Sequence, residues 1–345
     1  MYRLIKIIDV IFEKASDRSS ILVHDENRPL VSICCITYNH EEYIAKTIDS
    51  FLMQKTDFDF EILIHDDAST DRTGEIIREY ADKYPDIIFP IIQEKNQYSQ
   101  GITNISGAFN FPRARGKYIC MCEGDDYWTD PDKLAIQADY MERHPDCTLC
   151  FHSAAIEVTD GSITDGRMRP YKEDRKVSSE EIIDKPYGYP MASMMFPTEY
   201  VRELPDYYVN CPIGDIPLQL MLAAGGYGYY FDRDMSVYRI GSSVSWSVQM
   251  RQGDYEAKQD RYFNQMKATY EEFDKETFGM FHDAVESAIK RIYFLTRVNT
   301  KKFDEIKKKE YRRYYKELNL RTRFFLKLEM LFPGVFAWLQ RLVHR

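Results

Sequence analysis

Leu30-Val31-Ser32-Ile33-Cys34-Cys35-Ile36-Thr37 is a nearly continuous apolar run, and Tyr38-Asn39 follows it directly. Apolar side chains on consecutive positions leave neither face of a strand for water, the pattern of a strand buried in a parallel sheet. Asn39 is placed to cap a helix, with Glu41 and Glu42 in its first turn and Ile44, Ile48, Phe51 and Leu52 as its apolar face. The unit then repeats. Glu61-Ile62-Leu63-Ile64 reads as a second strand, His65-Asp66-Asp67-Ala68-Ser69-Thr70-Asp71 as a turn, and a helix starting near Thr73 carries Ile76, Ile77 and Tyr80 before Pro85 stops it. This order predicts an α/β fold with a parallel or mainly parallel sheet and helices on both faces.

A third apolar run, Lys117-Tyr118-Ile119-Cys120-Met121-Cys122, ends in Glu123-Gly124-Asp125-Asp126 and continues as Tyr127-Trp128-Thr129-Asp130-Pro131. Clustered carboxylates are hard oxygen donors suited to Mg²⁺ or Mn²⁺, which bridge to phosphate oxygens and neutralise a phosphate leaving group. The same spacing also fits a polar loop whose Asp residues cap turns and the next helix. In open α/β sheets ligands bind beyond the carboxyl ends of the strands. Thr37-Tyr38-Asn39, Asp66-Asp67 and Asp125-Asp126 all follow strands directly, so they converge on one sheet edge. That convergence favours one site over scattered turn residues.

The chain has 345 residues, 44% of them hydrophobic, enough for one large α/β domain and an appendage. A net charge of −9 and a pI near 5.4 argue against a nucleic-acid partner, which calls for a basic stripe. Seven cysteines form an odd set, and Cys34, Cys35, Cys120 and Cys122 lie inside strands, as reduced thiols of a cytoplasmic protein do. His144, Cys147, Cys150 and His152 lack the second Cys pair of a structural zinc site.

Three regions are expected. Residues 1–28 form an amphipathic helix, with Leu4, Ile7, Ile8, Ile11 and Phe12 on one face, and a polar connector; Arg3, Lys6 and Asp9 interrupt any signal-peptide pattern. Residues 29–250 form the α/β domain, with a loop or short-helix region over 93–116 and an exposed excursion over 160–185. Residues 251–345 form a helical extension, with long helices over Asp254 to Thr277 and Phe281 to Lys316. No stretch approaches the roughly 20 apolar residues of a spanning helix. The apolar C-terminus from Phe324 to Leu339, with Arg321, Arg323, Lys327, Arg341 and Arg345 around it, suits an anionic membrane surface, the core or a second subunit.

Val31-Ser32-Ile33 leading to Thr37-Tyr38-Asn39, then Asp66 to Asp71, then Arg115-Gly116-Lys117-Tyr118 leading to Glu123-Gly124-Asp125-Asp126, resembles family 2 glycosyltransferases with the GT-A fold, a Rossmann-like mixed sheet. The resemblance spans about the first 130 residues, continues more loosely to about residue 247, and does not cover the last hundred. It implies an inverting, metal-dependent transferase of hexosyltransferase type. Such an enzyme moves a sugar from a nucleotide-diphosphate donor, a UDP-sugar, to a saccharide or lipid-linked acceptor in bacterial surface polysaccharide synthesis, at the inner face of the plasma membrane. Alternatives are a nucleotidyltransferase sharing the sheet and a non-catalytic sugar-binding domain.

By the same resemblance, Thr37, Tyr38, Asn39, Asp67, Glu123, Asp125 and Arg239 bind the nucleotide, with Tyr38 stacked on the base and Asp67 accepting from its N–H. Asp66 and Asp71 shape the turn. Asp125 and Asp126 hold Mg²⁺ or Mn²⁺, Arg239 is a fork-shaped donor to the diphosphate, and Glu123 stands where the family has Asp. The family often adds a metal-binding His after a Tyr-Arg pair; here Tyr238-Arg239-Ile240 leads to Gly241. Asp215 is the catalytic base by resemblance, and a helix N-cap by local reading. Trp128 and Trp246 are acceptor-groove or packing residues.

Overall fold

The computed structural model describes residues 28–158, 163–241 and 250–332, with residues 334, 335 and 338. The helix expected before residue 28, Trp246, Arg341 and Arg345 lie outside the described residues. Two compact units result: one of the described residues up to Ile182 and from Pro186 to Gly241, the other of Ile183–Lys185 and the described residues from Met250 onward.

In the first unit β1 (Val31–Thr37) lies between β2 (Phe60–Asp66) and β4 (Tyr118–Glu123), parallel to both, and β3 (Ile88–Ile92) extends the parallel set beyond β2. Val31, Ser32, Ile33, Cys34 and Cys35 are all at 0% exposure, which explains why apolar residues occupy consecutive positions. In register, Thr37 stands opposite Asp66 and Ile36 opposite Glu123, so the three strand ends form one edge. The sheet order is β3-β2-β1-β4-β9-β6-β10-β5. Here β5 is Tyr127–Trp128, β6 Cys147–Val158, β9 Met195–Pro197 and β10 Tyr227–Ile240. β9 is antiparallel to β4 and β6, whereas β10 runs parallel to β6 and antiparallel to β5.

Helices α1 (Ile44–Leu52), α2 (Thr73–Lys83), α3 (Lys133–Arg143), α4 (Ser179–Asp184), α5 (Asp206–Val209) and α6 (Asp215–Gly225) connect these strands. Ile44, Ile48 and Phe51 of α1 enter one core with Val31, Ile33, Ile62, Ile64, Ile77, Trp128 and Leu134. The excursion expected over 160–185 is partly ordered pairing: β7 (Ile163–Met168) adds to β6 and β8 (Arg175–Val177) to β10. Edge pairing uses the backbone, so it leaves no apolar periodicity to read.

The second unit holds α7 (Tyr255–Glu276), α8 (His282–Asn299), α9 (Phe303–Ile306), α10 (Arg312–Glu317) and α11 (Leu320–Leu331). The single helix expected from Phe281 to Lys316 ends at Asn299, and Lys301 turns the chain at φ +59°. Beyond that turn Ile306, Tyr311 and Tyr314 return to pack on Phe294. No helix among the described residues is long and apolar enough to cross a membrane.

At the other end of β1, Glu61 is 2% exposed and accepts from Ser32 Oγ (2.6 Å), Arg115 N–H (2.7 Å) and Arg115 Nε (2.7 Å). Gly116 closes against this staple: its N–H donates to Ser32 Oγ, and a Cβ there would lie 2.6 Å from Ser32 N. Gly116→Ala is therefore expected to cost about 1–3 kcal/mol in urea denaturation, because backbone cannot give way as a side chain can. Unchanged stability would contradict this packing.

Candidate active site

Helix α1 has a polar line as well as an apolar face. Thr47 Oγ1 lies 2.6 Å from the Asp126 carbonyl oxygen and 3.0 Å from that of Gly124. Ser50 Oγ accepts from Trp128 N–H at 3.0 Å, and Gln54 Nε2 donates to the Asp130 carbonyl at 2.8 Å. Thr47 and Ser50 on one side of α1, and Gln54 just past its C-terminus, are all buried and together hold the backbone of the acidic turn and the residues after it. Sequence periodicity weighs apolar residues and passed over these three. Gly124 is required by close approach: a Cβ there would stand 2.7 Å from Thr37 Oγ1 and 3.0 Å from His40 Nδ1.

The turns after β1 and β2 interlock. Asn39 adopts φ +54°, its N–H donates to Ser69 Oγ (2.8 Å), and its Oδ1 accepts from Thr70 N–H (2.8 Å). It does not cap α1, which starts five residues later without a side-chain cap, because its carbonyl arm is engaged across the edge. Asp66 accepts from Ser69, and Asp71 from Thr73 N–H (2.9 Å) and Glu41 N–H (3.1 Å), so both shape the turn. Asp67 is buried and accepts from Gln97 N–H (2.7 Å) and Tyr98 N–H (3.0 Å), fastening the next loop to the edge. Tyr38 is exposed on the rim, and Thr37 Oγ1 is buried without a hydrogen-bond partner.

Behind the acidic turn lies Arg239. Its Nε donates to Glu157 Oε1 (2.6 Å), its Nη1 to the Asp125 carbonyl (2.6 Å), and its N–H to Asp126 Oδ1 (2.8 Å). Tyr43 and Tyr127 carry the guanidinium over their rings at 4.8 and 4.6 Å, and Tyr127 donates to Glu157 Oε2 (2.8 Å). Burial pushes the Glu157 carboxyl up, but the bonds from Arg239 and Tyr127 outweigh it and bring it below the usual range. Arg239 is thus held as a strut beneath the turn, with two of its guanidinium nitrogens engaged.

Three carboxylates share the turn. Burial first, then Asp125 and Asp215, pushes Glu123 up to about 8. Asp126 is 1% exposed and raised by burial, then by Asp125 and Glu123; its Oδ2 has no partner. Asp125 is more open, with Oδ2 3.8 Å from His40 Nε2. Burial draws the His40 imidazole below its ordinary range against the pull of Asp125. His40 was not singled out in the sequence, although it directly follows Tyr38-Asn39.

Asp215 belongs to the same field. It is the first residue of α6, not the N-cap, which is Gly214, and its Oδ1 accepts from Ile216 N–H at 2.8 Å. Burial raises it, outweighing that bond, so the lowered carboxyl of an N-cap is not what the structure contains. The Tyr238 phenol is raised by burial and then by the charges of Glu123, Asp126, Asp125 and Asp215, so all four acids act on it electrostatically. Asn104 Nδ2 donates to the Cys211 carbonyl at 3.2 Å, fastening the segment that leads into α6. Trp128 is a packing residue at 1% exposure, its Nε1 donating to the Ala192 carbonyl at 2.9 Å.

The unpartnered Asp126 Oδ2 and the crowded oxygen donors fit a divalent cation. Among the described residues no ready group of three His, Cys, Asp or Glu side chains is gathered for a metal, so such an ion would draw on phosphate and water as well.

Comparison with known proteins agrees with this architecture. The model for glycosyl transferase family 2 matches residues 32–196. The uncharacterized glycosyltransferase MJ1057 of Methanocaldococcus jannaschii is 36% identical over 215 residues, which cover 58% of this chain and 70% of that protein. TuaG of Bacillus subtilis, a glycosyltransferase assigned to teichuronic acid biosynthesis, is 32% identical over 138 residues, 40% of this chain and 52% of TuaG. The chain spans 60% of the length of uncharacterized mycobacterial relatives to which it is 37% identical over 224 residues. A crystal structure of S. aureus TarS 1–349 with UDP-GlcNAc superposes at a TM-score of 0.55 and 15% identity, covering 86% of each chain, and so shares the fold.

Glu123 carries a pH signature. A carboxyl raised in the folded state adds stability below its unfolded value and loses that contribution as pH rises through the folded value. The Tm of the ligand-free protein is expected to fall between about pH 5 and pH 8, and Glu123→Gln to flatten the fall. Identical Tm profiles for the two proteins would refute the assignment.

Proposed function

The chain belongs to glycosyl transferase family 2, and within that glycosyltransferase activity we propose an inverting transfer from a UDP-sugar to a saccharide or lipid-linked acceptor hydroxyl. The observation that carries the mechanism is the Asp215 carboxyl. It starts a helix, is raised by burial, and acts electrostatically on Glu123 in the acidic turn. A carboxylate so tuned, across from a diphosphate site, takes the proton of the acceptor hydroxyl as that oxygen attacks the anomeric carbon from the face opposite the leaving group.

Tyr38 offers its exposed ring to the uracil, and Asp67, already anchored by two amides, accepts from the base N–H with its remaining lone pairs. Thr37 and Asn39 shape the pocket wall, Glu123 faces the ribose, and Asp125 with Asp126 would hold the cation. Arg239 serves the diphosphate by fixing those two acids. A bound Mg²⁺ or Mn²⁺ supplies positive charge against the departing diphosphate. TarS, by its complex, holds UDP-GlcNAc, which supports the UDP choice, and the TuaG relationship supports an acceptor in bacterial surface polysaccharide synthesis.

Asp215→Asn keeps the shape but cannot take a proton. It should lower kcat by about 10²–10⁴-fold while UDP affinity stays within a few fold. Unchanged turnover removes Asp215 from this role, and a product retaining the donor's anomeric configuration by NMR ends the inverting mechanism.

Helix α11 supports a peripheral place on the cytoplasmic face of the membrane. Leu320, Phe324 and Leu331 are exposed and share one face, with Arg321, Arg323 and Lys327 along the helix. The chain should co-sediment with phosphatidylglycerol vesicles, less so at high salt, and Leu320→Glu with Phe324→Glu should release it. Equal sedimentation of both proteins would instead direct this face to a second copy of the chain.

A further inference from the structure

His40 is 9% exposed, and its backbone is fixed on both sides. Its N–H donates to Thr73 Oγ1 at 2.8 Å, and its carbonyl accepts from Tyr43 N–H and Ile44 N–H, both at 2.9 Å. The ring therefore has a set position against Gly124, where any Cβ would meet Nδ1 at 3.0 Å. Nδ1 has no hydrogen-bond partner, and Nε2 points at Asp125 Oδ2 across 3.8 Å. That gap is too long for a hydrogen bond. It suits two donors on one ion: ligands each about 2.1 Å from a shared centre lie roughly 3 Å apart at right angles and roughly 4.2 Å apart when opposed.

We propose that His40 is the imidazole ligand of the divalent cation at the acidic turn, binding it with Asp125 from the turn after β1, where residue 241 offers only glycine. The proposal rests on the donor-and-cation reading above. Its second support is independent of the His40–Asp125 pair: Asp126 Oδ2 is also buried and unpartnered at this turn, as a carboxylate lacking its cation is. A nitrogen donor among carboxylates also shifts preference from Mg²⁺, an all-oxygen ion, towards Mn²⁺.

The test is Mn²⁺ binding by the full chain, with and without UDP, followed by electron paramagnetic resonance. The wild-type protein should show electron spin-echo modulation from a directly bound imidazole nitrogen. His40→Ala should lose that modulation and bind Mn²⁺ at least about tenfold more weakly, with Asp125→Asn as the reference for a lost oxygen ligand. If Asp125→Asn loses the ion while His40→Ala keeps wild-type affinity, the proposal is overturned and the cation reading stands. If wild-type protein binds no Mn²⁺ with or without UDP, both fall. Should His40→Ala prove unfolded by circular dichroism, the wild-type spectrum alone decides, and absence of nitrogen modulation overturns the proposal.

Discussion

The Arg239–Glu157 ion pair, closed between two tyrosine rings, is the constraint on which the site depends. An acidic turn of three carboxylates repels itself, and its backbone must be held by something outside it. Arg239 does so from β10, with its N–H on Asp126 Oδ1 and its guanidinium on the Asp125 carbonyl. Glu157 on β6 and Tyr127 on β5 fix that guanidinium, so three strands converge on one cation. Removing Glu157 would leave Arg239 as an unpaired buried charge, a far larger penalty than the pair's net contribution. The far half of the sheet is thereby tied to the half that carries the acidic turn.

Much of the first half was legible because its elements are buried on both faces. β1, β2 and β4 announce themselves by consecutive apolar residues, and their parallel pairing brings Thr37, Asp66 and Glu123 to one edge, as the strand–helix order required. The later strands were harder to read. β10 is long and bulged against β6, and β7 and β8 are edge additions whose stability comes from backbone pairing. The second unit departs from the reading in another way: the helix expected from Phe281 to Lys316 runs across Lys301, but the chain turns there and Ile306, Tyr311 and Tyr314 pack back on Phe294.

Polar residues with structural roles were the least legible. Thr47, Ser50 and Gln54 look like solvent-facing polar residues until the acidic turn and the residues after it are placed against them. Asn39 resembles a cap by its place before a helix, yet its left-handed backbone turns it across to Thr70. Arg239 is expected as a fork-shaped donor to a diphosphate, and what the sequence leaves unread is that Glu157, Tyr43 and Tyr127 hold it from behind the turn. Such partners are far apart in sequence, so no local pattern signals them.

The two aspartates at the heart of the turn are not equivalent, and the difference bears on how donor and cation meet. Asp126 spends one oxygen on Arg239 N–H and keeps the other buried, whereas Asp125 is open and faces His40. Glu123 and Asp126 are both raised in the ligand-free protein, so part of their charge is withheld until a counter-charge arrives. On the proposed reading, cation and diphosphate arrive as mutually compensating charges: the ion lets the carboxyls ionise, and the ionised carboxyls let the ion hold phosphate. Each component alone enters an unfavourable field, the cation against protons it must displace and the diphosphate against acids it would repel. Affinity for either should therefore rise in the presence of the other, a coupling built from burial of the turn and independent of any movement of the fold.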